Sequence, residues 1–276
     1  MDSTPDDLEF LFTSDHRVAV LSALAAGPRD RAELRSVTGA SAPTMSRILT
    51  TFETRSWIDR DGRTYQLTPL GEFVADRLSE FVEAMTIEEQ LRDVWNLLPH
   101  DFDAFSVELF SDVAVTYPGP GYPDRPTERR LELIRESSTW RGLGVAMLGL
   151  RTLETAFDRF LDQQDPFECE YIYPPEVFDE LLSWGDRETI VEAVNSDSYT
   201  VLLHEDLPTA HQYELCLFDD RVTICCYDPE TGGLQALIET TSQEMRTWAA
   251  SYYEQFRAEA EPLEDAFERG SLPSLE

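Results

Sequence analysis

Apolar positions between Ser14 and Gly71 recur at helical spacing in three successive stretches and then alternate, which predicts three helices followed by a β-hairpin. The first stretch, SDHRVAVLSALAAGP, turns Val18, Val20, Leu21 and Leu24 toward a core, with Ser14 as N-cap and Gly27-Pro28 as a stop. The second, DRAELRSVTG, has Asp30 in the capping position and Leu34 and Val37 facing inward. Gly39 closes it at a tight turn, where the missing Cβ permits positive φ. In the third, SAPTMSRILTTFETRSW, Pro43 follows Ser41 or Ala42 in a first turn that does not need its N–H. Met45, Ile48, Leu49 and Phe52 form the buried face of this helix, and Thr44, Ser46, Arg47, Thr50 and Thr51 lie on or near the outer one. The segment WIDRDGRTYQLTPLG then reads as a hairpin, Trp57–Arg60 and Arg63–Leu67 around an Asp61-Gly62 turn, and Thr68-Pro69 opens another helix.

Three helices, an arginine-bearing hairpin and a fourth helix are the order of a winged helix-turn-helix. Its third helix offers short polar side chains and arginine to base edges and phosphates. The candidate DNA contacts are Thr44, Ser46, Arg47 and Thr50 on that helix and Arg60, Arg63 and Tyr65 on the wing. A bundle packed for structural reasons alone is the alternative.

Residues 72–100 predict a long helix with Phe73, Val74, Leu78, Phe81, Val82, Met85, Ile87, Leu91, Val94, Trp95 and Leu98 along one stripe. Such a stripe packs either against a second copy or against the following domain. That domain alternates strand and helix patterns. Strands are expected at Val107–Leu109, Val113–Tyr117, Cys169–Tyr173 and Tyr199–His204, then in a meander of Tyr213–Phe218, Val222–Tyr227 and Leu234–Glu239. Helices are expected at Thr127–Ser137, Leu153–Leu161, Pro175–Ser183, Glu188–Val194 and Gln243–Leu263, and the mixture indicates a layered α/β domain. The expected division is 1–71 for DNA binding, 72–100 for linkage and dimerisation, 101–263 for an α/β sensor domain and 264–276 for a frayed tail.

Charge first complicates this reading and then sharpens it. The 276 residues carry a formal net charge of −32, and the 22 basic residues are all arginine. Such acidity normally argues against a nucleic-acid partner. From Arg29 to Leu67, however, seven arginines face five acids, a local +2, whereas from Ile87 onward 13 arginines face 40 acids. The cationic island coincides with the helix-turn-helix. Hydrophobic residues at 42% and aromatics at 11% exclude disorder as the cause of the acidity. Abundant carboxylate without lysine instead suits a hypersaline cytoplasm, where screening tames self-repulsion, and points to an extreme halophile of archaeal type. In molar salt, phosphate contacts alone hold DNA weakly, so base edges, thymine methyls and dimerisation must contribute more.

Catalytic constellations are missing. There is no GxxxxGK, HExxH, GxSxG or paired CxxC, and only four histidines are present. His204, Glu205, Asp206 and His211 lie near Cys216, Cys225 and Cys226, but their spacing fits no standard zinc pattern, and strand cysteines usually fill cores. Cys225 and Cys226 must point to opposite faces of their strand. Arg141, beside Gly142 and Gly144 at a strand start, is a candidate for an anionic ligand, with a surface salt bridge as the alternative. His204 and Tyr117 complete the candidate ligand residues. No metal site and no cofactor are expected. No stretch approaches the roughly 18 apolar residues of a membrane span, so the chain is expected to be soluble and cytoplasmic.

Taken with the segments DRDGRTYQLTPLG, VWNLLPHDF, RPTERRLELIRESSTWRGLG and LCLFDDRVTICCYDPETGGLQALIETTS, the chain resembles haloarchaeal winged-helix transcriptional regulators. Their C-terminal sensor domain is of the type first named in a filamentation and methanogenesis regulator. The resemblance implies a homodimer that binds double-stranded DNA and responds to a small-molecule effector. It also implies a C-terminal fold similar in outline to phospholipase D, but the HxKxxxxD motif of those enzymes is absent, so hydrolase activity does not carry over. The alternative is a protein-interaction or metabolite-sensing module whose winged part does not bind DNA. An inverted repeat upstream of the gene would separate the two. Thermal stability is expected to rise between about 0.15 M and about 3 M KCl as screening relieves carboxylate repulsion; a flat or falling melting temperature would remove the hypersaline reading.

Overall fold

The computed structural model of the chain describes residues 4–98, 105–144, 150–162, 167–184, 187–208 and 213–268, which divide into two units, Met1–Glu88 and Glu89–Glu276. In the first unit α1 (Thr4–Phe12) and α2 (Asp15–Ala25) precede β1 (Arg29–Asp30), α3 (Arg31–Thr38) and α4 (Ala42–Thr54). The strands β2 (Ile58–Asp61) and β3 (Thr64–Leu67) follow, and α5 (Pro69–Leu91) runs across the unit boundary. Met45, Ile48, Leu49 and Phe52 of α4 are buried against Val20, Leu21 and Leu24 of α2, as the spacing predicted. Asp30 caps α3 with a full capping box, accepting from Ala32 N and Glu33 N at 2.7 and 2.9 Å while Glu33 accepts from Asp30 N at 2.7 Å.

Four details depart from expectation. α1 and the two-residue β1 carry no periodic signal of their own. Ser14 stands at the α2 N-cap without a side-chain capping bond. Val37 is 61% exposed, because the short α3 reaches the core through Leu34 alone. In the hairpin, Asp61 pairs with Thr64, so the turn residues are Gly62-Arg63 rather than Asp61-Gly62. Gly62, with φ +59°, supplies the left-handed first position that a two-residue turn of this kind needs. Gly71 is fixed by contact instead, since a Cβ there would lie 1.8 Å from the Trp57 carbonyl oxygen. The same Thr68–Gly71 turn is tied down by Thr68 Oγ1, which donates to Ser56 O at 2.6 Å and accepts from Gly71 N at 3.0 Å.

The expected 72–100 helix ends at Leu91, and a 3-10 turn follows at Trp95–Leu97. The apolar stripe splits with it. Leu91, Val94 and Leu98 are buried, whereas Phe73, Phe81, Val82 and Met85 are 42 to 63% exposed.

The second unit is built on an eight-stranded mixed sheet. Its strands are β4 (Ala114–Thr116), β5 (Thr139–Gly144), β6 (Glu168–Tyr173), β7 (Tyr199–Leu203), β8 (Tyr213–Phe218), β9 (Val222–Tyr227), β10 (Leu234–Thr240) and β11 (Glu261–Pro262), in the order β11-β7-β6-β5-β8-β9-β10-β4. β5, β6 and β7 pair in parallel and the remaining neighbours antiparallel. One face packs against α6 (Arg125–Glu136), α7 (Leu150–Leu161), α8 (Pro175–Trp184) and α9 (Arg187–Val194); α10 (Gln243–Arg257) lies on the other. Both faces are covered, so β8 and β9 are buried at every position, as strands between two helical layers must be. Val107–Leu109, expected as strand, lies in a 3-10 turn, Val107–Phe110. The tail expected to fray from 264 instead opens with α11 (Leu263–Glu268), anchored by buried Leu263 and Ala266.

A buried ion pair sits inside this unit. Arg130 of α6 (2% exposed) donates to Glu214 of β8 (0%), and also to Tyr227 Oη. Glu214 further accepts from Tyr171 Oη at 2.6 Å, Tyr227 Oη at 2.9 Å and Cys216 Sγ at 3.2 Å. Burial first, and the Glu214 charge second, push the Tyr171 phenol and Cys216 thiol far upward, so both remain protonated donors. Tyr171 reaches Glu214 by lying over the β5 backbone. A Cβ on Gly142 would come within 2.4 Å of its ring, and one on Gly144 within 2.7 Å of its hydroxyl. The small residues of this segment thus make room for a tyrosine.

Glu214→Ala is expected to cost about 3–5 kcal/mol of unfolding free energy by leaving Arg130 buried and unpaired. The double variant Arg130→Met with Glu214→Leu should recover much of that loss in the same denaturant titration. A single-variant loss no larger than that of a surface substitution would contradict the network.

Candidate nucleic-acid interface

β1 is the short element that organises the site. Arg29 pairs with Tyr65 and Asp30 with Thr64, which docks the start of α3 beside the hairpin. The result is a cleft of about 340 Å³ between α3 and β2–β3, lined by Arg31, Arg35, Arg60, Arg63, Tyr65 and Asp30. Arg31 Nη2 donates to Ser46 Oγ at 3.1 Å and so links the cleft to α4. Arg60 Nε donates to Gly62 O at 3.0 Å, and its guanidinium lies 5.6 Å from the Tyr65 ring centroid. The Asp30 carboxylate is held below its usual range by the Glu33 and Ala32 amides, with Arg63 adding to the effect. Its carboxylate is engaged by the α3 cap amides and offsets part of the Arg63 charge.

The predicted residues divide by exposure. Arg47 and Thr50 on α4, and Arg60 and Arg63 on the hairpin, are exposed. Ser46 is half-buried and already engaged by Arg31. Thr44 is half-buried, its hydroxyl 2.9 Å from Ser41 Oγ in the helix cap. Tyr65 is corrected. At 5% exposure its ring belongs to the core with Phe52 and Trp57, because alternate residues of β3 face inward. It supports Arg60 from below. Arg31 and Arg35 were missed by periodicity alone, since only the β1–β3 pairing brings their helix to the hairpin.

Electrostatically the two units differ. Among the described residues, none of Arg31, Arg35, Arg47, Arg60 and Arg63 forms an ion pair with a carboxylate. In the second unit Arg129, Arg130, Arg141, Arg151, Arg221 and Arg257 all do. Arg31, Arg35, Arg47, Arg60 and Arg63 thus retain donors for an external anion, whereas Arg77 of the same unit pairs with Glu80 at 2.6 Å.

Both units match known domain families. Residues 5–90 match the model described as the HVO_A0261 N-terminal domain, and residues 123–259 match that of the middle domain of the methanogenesis regulatory protein FilR1. Comparison with curated proteins finds no match. Solved structures to which the chain shows similarity include TrmBL2, an archaeal chromatin protein whose structure shows a novel mode of DNA binding. It is 14% identical, with 92% of this chain and 97% of that one covered and a TM-score of 0.40. NucT from Helicobacter pylori is 12% identical over 55% of this chain and 98% of its own, with a TM-score of 0.42. Nuc, a phospholipase D family member from Salmonella typhimurium, is 13% identical over 54% and 96%, with a TM-score of 0.38.

The three ligand candidates of the second unit do not converge. Tyr117 follows β4 and His204 follows β7, six strand positions apart in the sheet, which is roughly 30 Å at ordinary strand spacing. Tyr117 Oη donates to Gln90 O at 2.7 Å. His204 is 8% exposed, accepts from Asp206 N at 3.1 Å and packs edge-on to Phe256. Both are engaged in these internal contacts, and Arg141 lines a cleft. Cys216 and Cys225 lie on the Arg130 face, where burial pushes the Cys225 thiol up to about 12, so both stay protonated. Among the described residues no group of three metal-ligating side chains assembles, and His211 falls outside those residues. No described helix is long and apolar enough to cross a membrane.

Tyr65→Ala is expected to destabilise the first unit by about 3 kcal/mol, as loss of a buried aromatic does, whereas Tyr65→Phe should leave its melting unchanged. Near-wild-type stability of Tyr65→Ala would place the ring outside the core.

Proposed function

We propose that the chain is a homodimeric transcription regulator whose first unit is a winged helix-turn-helix and whose second unit senses a ligand or signal. The observation that carries this reading is that Arg31, Arg35, Arg47, Arg60 and Arg63, on α3, α4 and the β2–β3 hairpin, form no ion pair with a carboxylate among the described residues of a chain with 54 acidic residues. α4 acts as recognition helix, with Arg47 and Thr50 toward base edges and phosphates and Ser46 and Thr44 flanking them. Arg60 and Arg63 hold the backbone beside the wing, and Arg31 and Arg35 extend that grip from α3. The family description of the second unit, that of a regulatory protein, supports the same role.

Dimerisation is supported by exposed apolar side chains along α1 and α5. Phe12, Leu70, Phe73, Phe81 and Met85 are each 45 to 63% exposed, and the rings of Phe12 and Phe81 lie 5.4 Å apart. A second copy covering this face would set two recognition helices against an inverted repeat. Catalysis is not part of the proposal, because a chain without lysine cannot carry the HxKxxxxD motif of phospholipase-D-like hydrolases.

The test is binding of the purified chain to its own upstream DNA against a scrambled control, in about 2 M KCl, where non-specific phosphate attraction is suppressed. Selective binding with a two-fold-symmetric footprint is expected. Arg47→Ala should weaken it by about 1–3 kcal/mol with unchanged melting. Equal affinity of that variant would overturn the contact assignment. No selective binding by folded, dimeric protein would favour a protein-interaction module.

A further inference from the structure

A second cationic cleft, in the C-terminal unit, is independent of the DNA face. It has a volume of about 400 Å³ and lies where the start of β5, the β8–β9 turn and the first turns of α10 meet. Three guanidinia line it, those of Arg141, Arg221 and Arg246, from three different elements. Thr139, Gln243 and Thr247 add hydroxyl and amide groups, while Leu217 and Val222 supply apolar wall. In a unit where carboxylates outnumber arginines about three to one, this convergence inverts the local charge.

The nearby acids do not cancel it. Asp219 also lines the cleft, but its carboxylate accepts from Ser138 N at 2.9 Å and from Thr139 N and Oγ1 at 2.7 Å each. Asp220, 68% exposed, pairs with Arg221 at 3.2 Å, and Glu254, 51% exposed, pairs with Arg141 at 3.5 Å. Exposed pairs of this kind are worth little and yield to a better-placed anion. Arg246 uses one N–H on the Asp219 carbonyl at 3.3 Å and keeps other donors. Arg141 is steadied by the Tyr253 ring, 5.7 Å from its guanidinium.

We propose that this cleft binds a small organic polyanion, a phosphate ester or polycarboxylate, through Arg141, Arg221 and Arg246. Planar guanidinia with several fixed donors are the natural receptor for such oxyanions, and the volume is that of a metabolite pocket. The proposal deepens the sensing part of the reading above and rests on it for its purpose. Binding itself is measured without DNA, so failure here and failure of operator recognition are separate results.

The experiment is isothermal titration of the full chain with pyrophosphate and with citrate, at ionic strength held constant with KCl. Saturable heat with at least one probe is expected, and which probe binds assigns the phosphate or the polycarboxylate class. Arg141→Gln and Arg246→Gln should each weaken it about tenfold or more, the loss expected for a charged hydrogen bond. Arg125→Gln, an exposed arginine outside the cleft, should bind as wild type. No saturable heat with either probe, or wild-type affinity in both cleft variants, would overturn the proposal.

Discussion

With 54 acidic residues against 22 arginines and no lysine, the distribution of carboxylates governs what each guanidinium can do. In the second unit six arginines are drawn into internal pairs, from exposed Arg151–Glu128 to the fully buried Arg130–Glu214. Beside α3 and the β2–β3 hairpin, Asp30 is committed to a helix cap. The guanidinia of Arg31, Arg35, Arg47, Arg60 and Arg63 keep donors for something outside the chain. Arg141 and Arg221 are paired only with exposed carboxylates and Arg246 bonds the Asp219 carbonyl, so these three guanidinia meet in one cleft with donors to spare.

The buried pair imposes its own demands on the fold. A carboxylate taken out of water needs several donors, and Glu214 obtains them from an arginine, two tyrosines and a thiol. Tyr171 can serve only because β5 carries Gly142 and Gly144 beneath its ring. The network therefore reaches across β5, β6, β8 and β9 and fixes their mutual register with α6. Its value lies less in net stability than in the cost of breaking it, since removing one partner strands the other.

The proposed DNA face depends on a much smaller device. Two residues of β1 add a third strand to the hairpin, and that pairing brings Arg31 and Arg35 to Arg60 and Arg63. α5 then leaves the sheet through the close contact of Gly71 with the Trp57 backbone and presents Phe73, Phe81 and Met85 outward. One module thus carries a polar arginine face and an apolar face, the two surfaces on which the proposed operator-binding dimer rests.

Local pattern determined a large part of this. Met45, Ile48, Leu49 and Phe52, the Asp30 cap, the order of strands in the β8–β9–β10 meander and the opposed faces of Cys225 and Cys226 all follow from periodicity, because near-neighbour sterics and burial set them. The exposed candidates Arg47, Thr50, Arg60 and Arg63 were legible for the same reason. Other features were decided by partners distant in the chain. Tyr65 is core because its face of β3 turns onto the cluster that holds Phe52 and Trp57, and the 72–100 stripe divides because Leu91, Val94 and Leu98 are buried while Phe73 and Phe81 are not. Gly142 is glycine on account of Tyr171, and Arg141 meets Arg221 and Arg246 only where β5, a turn and α10 converge. Sequence spacing encodes which side of an element is apolar; which elements come together, and hence which charges share a cleft, depends on long-range packing that no local period records.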